Sequence, residues 1–413
     1  MAYAYFDHAA AAPLLPEARE AMLPFLGEEF GNPASLHSFG DKPRAALDGA
    51  RAQVAALINA QPDNIVFTAS ASEANNLAIK GLALSRKAKG RNIVVSAIEH
   101  VSVLEPLKSL GVEGFDITEV PVDADGTVHP DKLAAAIKTD TILVSVMHAN
   151  YEVGTIQKVK ELAAVARRFR IPFHSDGTAA VGRIPVDVVG LDVDAYSFPA
   201  MSVYGPKGAA ALYLKRGTRI SSLIEGGFQE KNRRAGTENV AAIAGFGAAA
   251  AVAKAKLPEW SANLTKLARR IFKELPEKLE HIVFTGSMSS RIPGHVSVVV
   301  EFVEGEAMLL SLDDEGIAAA SGSSCSAKTL KASHVLLAMG LPHTKAQSSL
   351  VLTLGKDSTD EDVTHFLDKL PPITQRLRQM SPLYARLQKG EDPYALKPGD
   401  ECADEHEHEA DEL

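Results

Sequence analysis

Cysteine and tryptophan are scarce in this chain: its 413 residues include two cysteines, Cys325 and Cys402, and one tryptophan. Two thiols cannot build a disulfide framework, so the fold must rest on a packed apolar core and both cysteines are expected reduced. A surplus of positive charge is also missing. With 43 Lys and Arg against 52 Asp and Glu, the formal charge is -9, which gives no electrostatic ground for nucleic acid or an anionic membrane as partner. No uninterrupted apolar run approaches the roughly 20 residues of a membrane span. The start Met1-Ala2-Tyr3-Ala4-Tyr5-Phe6-Asp7 lacks the basic and apolar regions of a signal peptide. A soluble, cytoplasmic protein is expected, and internal repeats are absent.

What is present is a chain 46% hydrophobic and 23% charged, long enough for two packed domains. Short Val- and Ile-rich runs alternate with alanine-rich amphipathic stretches, the pattern of helices packed on a mostly parallel sheet. Residues 93–96, 142–146 and 171–174 read as buried strands, and 130–137 and 159–168 as helices. A break is expected near Leu257-Pro258-Glu259, followed by a long helical stretch and then the alternating run His295-Val296-Ser297-Val298-Val299-Val300. These signals predict a large domain over 15–257 and a smaller α+β domain made of 1–14 and 258–390. The tail, 391–413, is acidic and poor in apolar residues, and is expected to be disordered. It carries Cys402, His406 and His408 without a recognisable ligand spacing, so a solvated tail is the simpler reading than a metal site.

Several landmarks lie in order along the chain. They include Asp7-His8-Ala9, Gly31-Asn32-Pro33-Ala34-Ser35, the run from Phe67 through Ser72-Glu73-Ala74-Asn75-Asn76 to Gly81, and Glu99-His100. Further on come Asn150-Tyr151-Glu152-Val153-Gly154, Phe173-His174-Ser175-Asp176, Tyr204-Gly205-Pro206-Lys207-Gly208, Arg234-Ala235-Gly236-Thr237-Glu238-Asn239 and Ser321-Gly322-Ser323-Ser324-Cys325. On these segments the chain resembles the cysteine desulfurases of class V aminotransferase fold, of the iron-sulfur cluster assembly type. The resemblance implies a fold-type I pyridoxal-phosphate architecture: an α/β large domain around a mostly parallel seven-stranded sheet, and a smaller α+β C-terminal domain. It also implies a homodimer that hands sulfur to an iron-sulfur scaffold or other acceptor protein. By the same resemblance Asp176 partners the pyridine nitrogen, His100 stacks on the cofactor ring and assists proton transfer, and Ala71 and Ser72 cradle the phosphate at a helix N-terminus. Thr237 reaches the phosphate of the other subunit, and Cys325 is the persulfide-forming thiol.

The chain departs from the resembled pattern in one pocket. Ser202 stands where the Schiff-base lysine belongs, Met201 replaces the histidine before it, and Pro199 a phosphate-binding serine. Ala179 replaces a glutamine, Tyr151 an asparagine, and Val351 the arginine that pairs with the substrate carboxylate. Serine has no amine to form a Schiff base, and valine cannot make bidentate charge-assisted bonds. Lys207, five residues further on, is the alternative amine.

From this the leading expectation is a degenerate desulfurase-like protein, a pseudoenzyme without normal pyridoxal-dependent activity, that works in sulfur transfer or iron-sulfur assembly through Cys325. Pyridoxal phosphate is then not held covalently, and a bound iron-sulfur cluster is left open. Two alternatives stand beside it: an active cysteine desulfurase that converts L-cysteine to L-alanine and a persulfide with unusual cofactor anchoring, and a non-catalytic binding or regulatory homodimer. His148 and His174 are expected as satisfied core histidines, and no metal site is assigned; His8 and His37 match no strong spacing.

Overall fold

The computed structural model describes residues 3–322 and 332–394. A seven-stranded sheet forms the centre of the larger half, in the spatial order Ile65–Thr68, Ala210–Leu214, Ala195–Pro199, Phe173–Asp176, Thr141–Ser145, Asn92–Ser96 and Asp116–Val120. Only Ala210–Leu214 runs antiparallel to its neighbours. Six of these seven strands are buried throughout, and Ile65–Thr68, Asn92–Ser96 and Thr141–Ser145 read as near-continuous β-branched runs, as parallel sheets covered by helices require. Two apolar layers flank the sheet. One holds Ile65, Val94, Val144, Phe173 and Phe198, and the other holds Ile79, Leu82, Ile93, Val95 and Leu212.

A second core gathers Phe6, Leu264, Ile271, Val296, Leu352, Phe366 and Leu370. It lies around the antiparallel strands Ile282–Phe284, His295–Val300 and Ser349–Thr353 and the helices Gly305–Asp314 and Asp360–Gln379. The N-terminal strand Ala4–Tyr5 pairs in parallel with Ile317–Ala318, which draws the start of the chain into this part.

The expected break at Leu257-Pro258-Glu259 is corrected by the structure. One helix, Val240–Lys278, runs through Pro258. A proline inside a helix costs about 3 kcal/mol, yet the two halves of this helix are anchored in different cores. Ala242, Phe246, Ala249 and Ala253 pack on the sheet layer, and Leu264, Leu267 and Ile271 on the second core. Burial at about 25 cal/mol per Å² over both stretches exceeds the cost of one missing hydrogen bond. By length and composition this helix would also cross a membrane, but 67% of its most apolar window is buried inside the protein.

The parallel strands deliver their C-terminal ends to one edge of the sheet, where ligand crevices of α/β folds form. Asp176 ends one of the strands there, and Ser70, Glu99, Asn150 and Ala200 lie within five residues after the ends of others.

Candidate functional site

The Ala71–Arg86 helix begins at that edge, and its start is built by local chemistry. The Ser70 hydroxyl accepts the Glu73 N–H at 3.1 Å, and Glu73 Oε2 accepts the Ala69 N–H at 2.8 Å. The backbone N–H groups of Ala71 and Ser72 precede the helical ladder and are left for an outside acceptor. Ser70, Ala71 and Ser72 line a cavity of about 440 Å³, shared with His100, Tyr151, Glu152, Met201, Lys207 and Val351. An open first turn facing a cavity is a site for a phosphate or carboxylate.

Asp176 ends the strand Phe173–Asp176 and is 5% exposed. Its Oδ1 accepts the Thr178 N–H at 2.8 Å, and its Oδ2 accepts from Asn75 Nδ2 at 2.7 Å. Asn75 Nδ2 also donates to Ser102 Oγ at 2.8 Å, and Ser102 Oγ lies 2.8 Å from His100 Nδ1. A chain of polar contacts therefore runs from the Asp176 carboxylate to the His100 ring. His100 Nδ1 accepts the Ser102 N–H at 3.1 Å, which places the proton of the neutral ring on Nε2. Burial holds this imidazole below its ordinary pKa, against the opposing pull of Asp176. Tyr151 meets the ring edge-on, 5.1 Å between centroids. Asn75 and Ser102 had no role in the sequence reading. The signal was present in Asn75, one helical turn after Ala71, on the side that turns back to the sheet.

Two buried glutamates carry raised pKa values. Glu99 is pushed to about 8 by burial, although Ser96 Oγ and the Met147 N–H donate to its Oε1 at 2.5 and 2.7 Å. Glu152 is pushed to about 7 by burial; its Oε2 accepts from Ser333 Oγ at 2.6 Å, while its Oε1 is buried with no partner. Gly322 lies against it so closely that a Cβ there would sit 1.8 Å from Oε1.

The position of the resembled lysine is turned away from the large cavity. Ser202 Oγ donates to the Thr178 carbonyl at 2.7 Å and lines a second cavity of about 60 Å³, together with Ala179. Tyr151 and Met201 border both cavities. Pro199 and Val351 line the large one. Lys207 is exposed at its mouth. Thr237 is exposed and outside both cavities of its own chain. Cys325, Cys402, His406 and His408 lie outside the described residues. His148 and His174 are buried and hydrogen-bonded, to Tyr196 Oη at 2.7 Å and to Ser145 Oγ and Ser197 Oγ at 2.9 and 3.0 Å, and burial holds both near 4. Among the described residues no group of three or more His, Cys, Asp or Glu is placed to hold a metal ion.

The donor set suits pyridoxal phosphate at both ends. Asp176 would keep the ring nitrogen protonated, and the first turn of the Ala71–Arg86 helix would take the phosphate. The unpaired, buried Asn75 Oδ1 marks polar capacity in the same place. Covalent attachment at residue 202 does not fit, because the serine has no amine and its hydroxyl is bonded to Thr178.

Comparison with known proteins places these features in a family. The aminotransferase class-V family matches residues 4–366. The chain is 46% identical to the cysteine desulfurase IscS of Dictyoglomus turgidum over 378 residues, covering 92% of this chain and 96% of that protein. It is also 46% identical to cysteine desulfurase IscS 1 of Archaeoglobus fulgidus, covering 92% and 100%. Among solved structures, a NifS-like protein superposes with a TM-score of 0.86 at 33% identity, covering 91% of this chain and 100% of that one. The expectation of a degenerate desulfurase-like protein without normal activity is overturned by these relatives, which are named for that activity and match almost from end to end. Its physical basis was six replacements in one pocket, at Tyr151, Ala179, Pro199, Met201, Ser202 and Val351. The phosphate cradle, the Asp176 carboxylate and a cavity of about 440 Å³ remain beside them.

Proposed function

Because this chain belongs to the class V aminotransferase family, we propose that it is a cysteine desulfurase that holds pyridoxal phosphate without a covalent bond to residue 202. The observation that carries this reading is the large cavity, with an open helix N-terminus and His100 on its wall, the latter linked through Ser102 and Asn75 to Asp176. When bound, pyridoxal phosphate supplies the electron sink for breaking bonds at the α and β carbons of an amino acid. Asp176 keeps a proton on the ring nitrogen, the Ala71 and Ser72 N–H groups hold the phosphate, and His100 offers its Nε2 proton to the cavity. The chain of contacts through Asn75 and Ser102 fixes the orientation of that imidazole. Met201, Tyr151 and Val351 give the cavity apolar walls that exclude water from the reacting groups.

The substrate is L-cysteine, the products are L-alanine and a persulfide on Cys325, and an acceptor protein takes the sulfur. A homodimer in the cytoplasm, with Thr237 of each subunit serving the other, completes the reading. An iron-sulfur cluster then belongs to the acceptor. The test is alanine release from L-cysteine by the purified protein with added pyridoxal phosphate and a thiol reductant, beside Cys325→Ser. Stoichiometric alanine and sulfide, abolished in Cys325→Ser, is the expected result. Alanine no higher than in a cofactor-only blank would refute the activity.

A further inference from the structure

The second, smaller cavity lies behind Tyr151 and Met201, and its lining brings together His8, Arg183, Ser202 and His295. Tyr151, Ala179, Met201 and Ser202 are positions at which the chain departs from the resembled desulfurases, and all of them line this space. Serine and alanine in place of lysine and glutamine leave room where longer side chains would stand.

The room contains an unbalanced charge. Arg183 Nη1 donates to the Leu354 carbonyl, and no carboxylate pairs with the guanidinium among the described residues. A cation taken from water without a counter-ion is costly, and an anion beside it lowers that cost. The neighbouring polar groups are also incomplete. Thr178 Oγ1 and His295 Nδ1 are buried with no partner. His295 Nε2 donates to the Tyr151 carbonyl at 2.9 Å, and His8 Nδ1 donates to the Thr353 carbonyl at 3.0 Å. Burial keeps both rings neutral, near 3 for His295, helped by the charge of Arg291 and less by that of Arg183, and near 4 for His8, helped by Arg183 and less by Lys356. The carboxylate whose charge reaches His8 is Asp357, which is exposed and paired with Lys356.

We propose that this cavity binds a small monoanion, held by the Arg183 guanidinium and the Thr178 hydroxyl, with a water filling the side towards His295 Nδ1. At roughly 10–15 Å³ per water-sized centre, about 60 Å³ accommodates both. The anion comes from one of two sources, a free inorganic ion or the carboxylate of an amino acid entering past Tyr151 and Met201. The second source rests on the desulfurase reading and would supply the positive charge that Val351 no longer offers; the first does not depend on it.

The experiment is diffraction from crystals of the full chain grown with sodium bromide, measured at the bromine absorption edge, and in parallel from crystals soaked in L-alanine. An anomalous peak beside Arg183 identifies the inorganic source. Alanine density with its carboxylate on Arg183, without a bromide peak, identifies the amino-acid source. Both support the site, and both are expected to weaken about 10-fold or more in Arg183→Met, the loss of a charge-assisted bond. Ala179→Gln fills the cavity while keeping Arg183, and is expected to exclude the ion even if Arg183→Met fails to fold. Water alone in the cavity under both conditions overturns the proposal, whatever the outcome of the alanine-release assay.

Discussion

At the scale of single residues, side-chain direction matters as much as identity. Ser202 is bonded to the Thr178 carbonyl and faces the small cavity, so its loss of an amine leaves space behind Met201 rather than a blocked cofactor pocket. Ser202→Lys is therefore expected to fold, with its longer stem in the small cavity and its amine away from the cofactor. The variant should give no borohydride-stable adduct at residue 202 by peptide mass mapping and alanine release within about 3-fold of the parent chain. A yellow protein with an adduct at residue 202 would show that the lysine side chain turns past Met201 into the large cavity. The same distinction applies to Glu99 and Glu152: the sequence shows two acids, and only their enclosure makes them groups that hold a proton near neutral pH.

At the scale of elements, two helices make separable predictions. The Ala71–Arg86 helix is capped by Ser70, and Ser70→Ala removes the bond to the Glu73 N–H. The expected cost is about 1 kcal/mol of stability, read as a lower urea midpoint, together with weaker pyridoxal-phosphate binding because the first turn that would hold the phosphate frays. Unchanged cofactor affinity in that variant would place the phosphate elsewhere. In the Val240–Lys278 helix Pro258 is exposed and supplies no backbone donor. Pro258→Ala restores one hydrogen bond without altering either core, so the melting temperature should rise, by an amount corresponding to about 1–3 kcal/mol. A fall would mean that the proline ring sets a bend on which the packing of both halves depends.

At the scale of the whole molecule, buried titrating groups act on stability from both sides. Glu99 and Glu152 ionise near 4.5 when unfolded but near 8 and 7 when folded. Between those values the folded state holds protons that the unfolded chain has released, so this contribution falls as pH rises from 4.5 through about 8. His8, His148, His174 and His295 act in the opposite sense. Unfolded they take a proton near 6.5, while burial keeps them neutral down to about 4 or 3, so stability falls as pH drops below 6.5. Urea midpoints should peak near pH 6.5 and decline towards both pH 8 and pH 5. Glu99→Gln should flatten the alkaline decline; a midpoint that rises steadily from pH 6.5 to 8 in the parent chain would contradict the assignment.

The sequence by itself determined the α/β class, the strands around residues 93, 142 and 295, and the ordered landmarks that carry the family resemblance, because each is a local pattern of side-chain periodicity or a short contiguous motif. Asp176, His100, Ala71 and Ser72 were singled out from the same kind of motif, and the structure brings Ala71, Ser72 and His100 to the large cavity, with Asp176 linked to His100 through Asn75 and Ser102. The degenerate reading was drawn from six replacements in one pocket; sequence inspection weighted those losses above the rest of the site, which remains assembled. Only the tertiary structure decided that the Val240–Lys278 helix continues through Pro258, that Ser202 faces away from the large cavity, and that Arg183 and His295, 112 positions apart by their numbers, share one small enclosure. Those outcomes depend on which distant surfaces exclude water together, and burial, unlike periodicity, is a property of no single segment.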